Sequence, residues 1–269
     1  MALVVCPTPI GNLEDVTLRA LRELAAADVV LCEDTRRTKT LLDRHGVRAR
    51  LVSYHAHNEA QRVAEILPRL LAGERVALAS DAGLPALNDP GARLIAAVIA
   101  EGVEIVVLPG PSAIETALVA SGLVGERYSF LGYLPRRAGD VDRLWGELAT
   151  WSWPAVAFES PRRLPASLAS LAEREPERPV AVCRELTKIH EEIVRGTARD
   201  LAARFSEAPK GEVTVVIGPA QEVGESVVHQ DALAAVSELV AAGVPRRRAV
   251  DVVARLTGAS RNSLYRESL

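Results

Sequence analysis

Five short stretches of this chain combine reactive residue types with spacings that would let them act together. Three are rich in Gly and Pro: PTPIGNLED over 7–15, SDAGLPALNDPG over 80–91 and PGPSA over 109–113. Glycine lets a ligand approach the backbone closely and frees amide groups to face it. A fourth stretch, EDTR over 33–36, sets Glu33 beside Asp34 and is followed by Arg37. It reads either as a solvated turn or as a place where Glu33 meets the reacting atoms while Arg36 and Arg37 face a phosphate. The fifth, RELTK over 184–188, carries Arg184, Glu185 and Lys188, which suit either structural ion pairs or a direct part in proton transfer. No G-x-G-x-x-G follows the first apolar run and no P-loop is present, which disfavours an ordinary dinucleotide or nucleoside triphosphate site. His55 and His57 lie two apart with no third ligand nearby. Cys6, Cys32 and Cys183 are far apart and suit small core residues, so no metal site is expected.

The elements that must position these stretches follow from periodicity. Leu3–Cys6, Asp28–Cys32, Arg75–Ala79 and Val103–Leu108 are short apolar, mostly β-branched runs that read as strands. Between them lie helical patterns such as Leu18, Leu21 and Leu24, or Leu94, Ala97 and Val98. Strands alternating with helices predict a parallel sheet, at whose carboxyl ends three of the four strands run into the Gly- and Pro-rich loops. Those loops should converge on one ligand. Thr17 is placed to cap a helix, and Pro68 should kink or restart the helical pattern of 58–72.

From about Tyr128 the pattern changes to the strands YSFLGYL, PAVAFES, PVAVCREL and GEVTVVIG, separated by one helical stretch over 165–173 and otherwise by polar loops. The last forty residues read as helix-turn-helix-turn-helix, with turns at AAGVP and LTGAS. The expected organisation is thus α/β: a parallel-sheet domain over 1–120, a second, mixed-sheet domain over 121–222, and a small helical segment over 230–269.

At 269 residues and 48% hydrophobic, the chain has ample material for such cores. A formal net charge of -3 means that any binding of nucleic acid must use local basic patches. Only Lys39, Lys188 and Lys210 among the 32 basic residues are lysines, so paired arginines carry less meaning than usual. The N-terminus lacks the features of a secretory signal, and no apolar run approaches the roughly 20 residues that span a bilayer. The expected location is the cytoplasm.

Ten motifs in order, spanning nearly the whole chain, resemble the ribosomal RNA small subunit methyltransferase I family of the tetrapyrrole methylase superfamily: TPIGNLED, EDTR, SYHAHNE, SDAGLP, NDPG, PGPSA, GYLPRR, FESPRRL, CRELTKIHEEIVRGT and KGEVTVVIG. The resemblance implies transfer of a methyl group from S-adenosylmethionine to the ribose 2′-hydroxyl of a cytidine in the decoding region of small-subunit ribosomal RNA, within the assembled subunit. A homodimer would be unsurprising. Three positions depart from the family pattern: Leu84 replaces a usual Thr, Ala56 a usual acidic residue and Arg162 a usual His.

On this reading the amides of Ala82, Gly83 and Leu84 and the Asp81 carboxylate hold the cofactor's amino-acid and ribose portions, with Ser80, Ser112, Phe158 and Gly211 as further cofactor-binding residues. Ile10, Leu84 and Ala113 wall its adenine. Ser112 would also cap the helix that follows it. Glu33, Glu185 and Lys188 are the candidates for taking the hydroxyl proton or stabilising the alkoxide. Arg36, Arg37, Arg136, Arg137, Arg162, Arg163, Arg246, Arg247, Arg248 and Arg261 are the candidates for RNA contact, with Asn262 beside the last of them. Two rival readings stand beside this one. A tetrapyrrole-precursor methylase would leave the arginine-bearing tail unexplained, and a non-catalytic RNA-binding assembly factor would leave three cofactor loops unexplained.

Overall fold

The computed structural model describes residues 2–220, 225–258 and 260–268. Met1, Ala259 of the LTGAS turn and Leu269 lie outside the described residues, as does the side chain of Asn262. The chain forms two compact units, one of 1–149 and 153–218 holding both sheets, the other of 150–152 and 219–269.

The first sheet contains β1 (Ala2–Cys6), β2 (Val29–Cys32), β3 (Leu51–Ser53), β4 (Val76–Ala79) and β5 (Glu104–Val107), all parallel, in the order β3-β2-β4-β1-β5. Every residue of β2 and β4 is buried, as expected of parallel strands covered on both faces. The four strands expected from sequence are present. β3 is an addition, because LVS is too short to show a period. The cover comes from α1 (Leu18–Ala26), α2 (Thr35–Arg44), α3 (Glu59–Leu71) and α4 (Ala92–Ala100). One face packs Leu3, Leu31 and Leu78 against Ile66, Leu70 and Leu94; the other packs Cys6, Cys32 and Ala77 against Ala20, Leu24 and Leu42. The Thr17 hydroxyl accepts from the Ala20 amide at 3.0 Å and caps α1. Pro68 does not interrupt α3: the helix runs through it to Leu71 with the one backbone bond that Pro68 cannot donate left out. Burial holds the Cys6 thiol up at about 12 and the Cys183 thiol at about 11, so both are inert core residues.

The chain leaves β1 toward β2 on one side and leaves β4 toward β5 on the other. The carboxyl ends of these two neighbours are therefore the topological switch point, where open α/β sheets bind ligands.

The helix α5 (Ala113–Ser121) follows β5 and seats Ile114, Ala117 and Leu118 against Val156, Ala181 and Val216 of the second sheet. That sheet contains β6 (Ser129–Tyr133), β7 (Ala155–Glu159), β8 (Pro179–Arg184), β9 (Glu192–Thr197) and β10 (Val213–Ile217), in the order β6-β7-β10-β8-β9. β6 and β7 are parallel and the other pairs antiparallel, so the sheet is mixed, as the sequence predicts. Three elements correct the expectation of polar loops: α6 (Ala138–Leu148), the edge strand β9, and α8 (Ala198–Arg204). α6 buries Val141, Trp145 and Leu148, and α8 is opened by a capping box between Thr197 and Asp200. The expected helix is present as α7 (Leu164–Arg174).

The C-terminal unit contains α9 (Glu225–Ala241), α10 (Arg246–Thr257) and α11 (Arg261–Glu267). Its own core includes Val236, Ala249, Val250, Val253 and Leu264. No helix among the described residues is long and apolar enough to cross a membrane.

Candidate functional site

The loops after β1 and β4 are tied together at the switch point. Thr8 and Gly83 donate their amides to each other's carbonyls, both at 2.9 Å, and the Thr8 hydroxyl donates to the Ser80 carbonyl at 3.0 Å. Gly83 has φ +77°, a conformation in which a side chain would be strained. Gly11 is fixed by proximity instead. A Cβ there would lie 2.5 Å from Lys188 Cγ and 2.8 Å from the Leu186 carbonyl, so only glycine lets the first loop lie against the RELTK segment.

These loops open on a cleft of about 680 Å³ between the two sheets. From the first sheet come Ile10, Glu33, Arg37, Ala82 to Leu84 and the carboxylates of Asp81 and Asp89; α5 adds Ser112 and Ala113. The second sheet supplies Tyr133, Phe158, Leu186 and the 211–214 strand start. Phe130 and Tyr133 flank Phe158 with ring centroids 5.1 and 5.5 Å away, which fixes that ring as a wall. A smaller hollow of about 330 Å³ adjoins the cleft, sharing Ile10, Arg37, Asp81 and Ala82 and adding Lys188.

Three carboxylates of the cleft act on one another. Asp81 is engaged: one oxygen accepts from the Asp34 amide at 2.9 Å, and the other lies 3.6 Å from Arg37 Nη1. Glu33, at the end of β2, is raised above the usual carboxylate range by burial and by Asp81, against the opposing pull of His55 and Arg37. Asp89 is raised furthest, to about 7, by burial and then by the charges of Glu33 and Asp81.

Nine of the ten residues expected around a cofactor line this cleft, and Ser80 is the exception. Its buried hydroxyl donates to the Gly83 carbonyl at 2.8 Å, so it shapes the loop and opens only on the adjoining hollow. Ser112 stands at the N-cap of α5, yet its hydroxyl donates to the Glu115 carboxylate and makes no capping bond to the helix amides.

The RELTK segment is a fastening. Glu185 Oε1 accepts from the Glu212 amide and from Lys188 Nζ, both at 2.9 Å, and Lys188 reaches Glu212 Oε2 at the same distance. The Glu212 amide, then Lys188, hold the Glu185 carboxyl below its usual range, which makes it a poor proton acceptor. For Lys188 burial is outweighed by the bonds to Glu212 and Glu185, and its ammonium stays charged. Gly211, φ +92°, admits this arrangement, because a Cβ there would lie 2.5 Å from Glu185 Cγ.

The arginines divide in the same way. Arg37 lines the cleft, while Arg36 projects into solvent and pairs with Asp34 at 2.6 Å. Arg136, Arg137 and Arg162 are exposed. Arg163 is structural: it donates to the Leu134 and Pro135 carbonyls and pairs at 2.5 Å with Glu159, which is 2% exposed. Arg247 and Arg248 are exposed and Arg246 half-buried at the start of α10, whereas Arg261 is held by Asp251. The rings of His55 and His57 stack edge to face; Asn58 Oδ1 accepts from the His55 amide, and Nδ1 of His55 is buried without a partner. Asp89, Asn88 and Tyr133 are among the cleft residues that sequence reasoning missed. The NDPG turn is a visible motif, but nothing in its spacing shows that its aspartate faces two other acids.

A match to the tetrapyrrole (corrin/porphyrin) methylase family model covers residues 2–202. The chain is 45% identical to a ribosomal RNA small subunit methyltransferase I of Mesorhizobium japonicum, over all of this chain and 91% of that protein. It belongs to the ribosomal RNA small subunit methyltransferase I family. The Thermotoga maritima member is 42% identical over 80% of this chain and 97% of its own. The crystal structure of uroporphyrin-III C-methyl transferase from Thermus thermophilus complexed with S-adenyl homocysteine shares the fold, with TM-score 0.57 and 19% identity over 82% of this chain and 98% of that one. The family match takes in the first sheet and β6 to β9, and the 211–214 wall of the cleft lies beyond it.

Proposed function

We propose that this protein uses S-adenosylmethionine to methylate the ribose 2′-hydroxyl of a cytidine in the decoding region of small-subunit ribosomal RNA, within the assembled subunit. The observation that carries the reading is that family motifs from both sheets meet at one cleft. Its donor set suits this cofactor. A zwitterionic tail and a ribose diol need amides and carboxylates, which Ala82 to Leu84, Asp81 and Ser112 provide; an adenine needs apolar walls, which Ile10, Leu84, Ala113 and Phe158 provide. Acidic groups in a half-enclosed cleft also favour a ligand bearing a sulfonium cation. Leu84 contributes its amide and an apolar surface where a hydroxyl is usual.

When bound, the cofactor supplies a methyl group already activated for displacement by the charge on its sulfur. The protein's task is alignment and proton removal. The tie between Thr8 and Gly83 and the fastening of 185–188 to Glu212 hold the walls of the cleft in place before anything binds, which is how positioning contributes to rate. Arg37 places a cation at the cleft for an RNA phosphate, with Arg136, Arg137 and Arg162 as further contacts on the same unit. With Glu185 and Lys188 engaged, Glu33 and Asp89 remain to accept the hydroxyl proton.

The test supplies methyl-labelled S-adenosylmethionine with unmodified small ribosomal subunits, with the free RNA, and with a tetrapyrrole precursor. Label on one cytidine ribose of the subunit is the expected result. Label on the tetrapyrrole, or none on any acceptor while the cofactor still binds, would reject the reading in favour of a precursor methylase or an assembly factor.

A further inference from the structure

The geometry points to Asp89 as the residue that takes the proton from the acceptor hydroxyl. This rests on the proposed methyl transfer and adds to it the base that the reaction needs. Asp89 lines the cleft on the same loop as Ala82 to Leu84, so one segment of twelve residues would both hold the donor and present the base. No hydrogen bond or ion pair of the Asp89 carboxylate is found among the described residues. Asp81 is tied to Asp34 and Arg37, and Glu185 is tied to Lys188 and Glu212.

The loop that carries Asp89 is built to hold it still. Ala86 and Asn88 both have positive φ, +71° and +61°, conformations that cost non-glycine residues energy and persist only where the surroundings enforce them. Gly91 enforces the end of the loop: its amide donates to Glu59 Oε1 at 3.0 Å, and a Cβ on it would lie 2.9 Å from Leu78 Cδ2. Glu59 is held in turn by the Tyr54 hydroxyl at 3.0 Å. At the cleft, Asn88 lies against Gly132 of β6, where an added Cβ would meet its Oδ1 at 3.2 Å. Strain gathered around a half-buried, unpartnered carboxylate is the usual mark of a group kept for a ligand.

Its neighbours distinguish it from Glu33. Asp89 is acted on by Glu33 and Asp81, both acidic, whereas Glu33 also feels His55 and Arg37, which favour its charged form. The other charged groups of the cleft are Arg37, Glu159 and Glu212, the last two bound to Arg163 and Lys188. Asp89 is thus the stronger base of the two and ionises near neutrality. The step balances. The ribose oxygen forms a bond to the methyl carbon as the carbon–sulfur bond breaks, its proton passes to the Asp89 carboxylate, and the sulfur leaves as a neutral thioether. The proton then returns to water.

The test compares wild type with Asp89→Asn and Asp89→Glu in two measurements. The first is calorimetric affinity for S-adenosylhomocysteine, expected to stay within about threefold in Asp89→Asn, which also reports that the cleft is folded. The second is kcat/KM for the methyl donor on unmodified small subunits across pH 5.5 to 9, since this parameter reports ionisations of the free protein. Wild type should lose rate as pH falls through about 7; Asp89→Asn should be slower by about 10²-fold or more and lose that limb, and Asp89→Glu should recover part of both. Asp89→Asn at the wild-type rate, or a parallel loss of homocysteine-analogue binding, overturns the assignment. Wild type that leaves subunits unlabelled overturns the acceptor reading and this assignment with it, so the two failures are distinct.

Discussion

Thr8 and Gly83 form an isolated two-residue antiparallel bridge, the only direct backbone link between the loops that leave the neighbouring parallel strands β1 and β4 among the described residues. It converts two flexible connections into one rigid wall of the cleft, with Ile10 on one side and the amides of 82–84 on the other. Gly83→Ala tests this. The added methyl has room, its nearest neighbours being 3.8 Å away, but φ +77° should cost about 1–2 kcal/mol. The expected outcome is that stability loss in denaturant unfolding, with at least a tenfold weaker affinity for S-adenosylhomocysteine. Unchanged affinity would show that the bridge does not shape the donor site.

Asp81 sits on the same wall, where it accepts from the Asp34 amide and, on the proposed function, also meets the cofactor. Asp81→Ala should therefore abolish measurable cofactor binding and also cost about 1 kcal/mol of stability for the lost hydrogen bond. Asp81→Asn keeps an acceptor for the Asp34 amide. It should restore the stability but not the binding, a separation that calorimetry and thermal unfolding together can read.

Arg163 was expected from its PRRL motif to face RNA, and the structure gives it a different role. Glu159 is buried and accepts from Arg163, from the Ser167 hydroxyl at 2.6 Å and from the Ser160 amide at 2.6 Å. Arg163→Ala strips the main counter-charge from a buried carboxylate and should destabilise the fold by about 3–5 kcal/mol. Arg162→Ala, one residue away and exposed, should leave stability within about 0.5 kcal/mol. If both variants unfold alike, the pairing with Glu159 is not what Arg163 contributes.

The contrast shows what the sequence reveals and what it hides. Strands β2 and β4 are legible because parallel strands covered on both faces must be continuous apolar runs, and β1 and the edge strand β5 are legible because they too keep β-branched runs. β9, EIVRGT, sits at a sheet edge with polar residues on both sides of two apolar ones and looks like a loop. In α6 the buried positions Val141, Trp145 and Leu148 do keep helical spacing, but two aspartates and two glycines mask it. Site residues follow a similar division. Loops that need glycine announce themselves, so Ala82 to Leu84 and Gly211 are found. The neutral-range ionisation of Asp89 arises from three acids brought together from β2 and the β4 loop, a relation that no local spacing contains.

That relation has a cost in stability. Asp89 is raised in the folded state from an ordinary value of 3.8 to about 7 by burial and the charges of Glu33 and Asp81, so between these values the folded chain binds the extra proton. Stability is then highest below the unfolded value and falls as pH rises from about 4 through about 7. Asp89→Asn removes the ionisation. It should raise the melting temperature at pH 8 by several degrees, corresponding to about 2 kcal/mol or more, and make a clearly smaller difference near pH 4.5. A variant with lower stability than wild type at pH 8 would contradict the burial of an uncompensated charge.

The C-terminal unit carries the remaining arginines, and its structure decides which of them are free to bind. Arg261 pairs with Asp251 across the turn between α10 and α11, so replacing it would loosen the turn as well as remove charge. Arg246, Arg247 and Arg248 open α10, where cations oppose the helix dipole, although the charge of Arg247 favours the ionised Asp251 one turn on. On the proposed function these arginines meet RNA phosphate. Replacing the three with serine should leave the unit folded, because Ala249, Val250 and Val253, which fill its core, are untouched. Affinity for S-adenosylhomocysteine should not change, while kcat/KM on small subunits should fall at least tenfold. Its dependence on salt should weaken too, with the slope of log kcat/KM against log salt reduced by about 2 if the three arginines neutralise phosphates. A tenfold loss with an unchanged salt slope would mean that the arginines act by shaping the protein and not by meeting RNA. Full activity with the wild-type slope would make the segment a structural appendage and leave Arg37 and the arginines of the second sheet to hold the RNA.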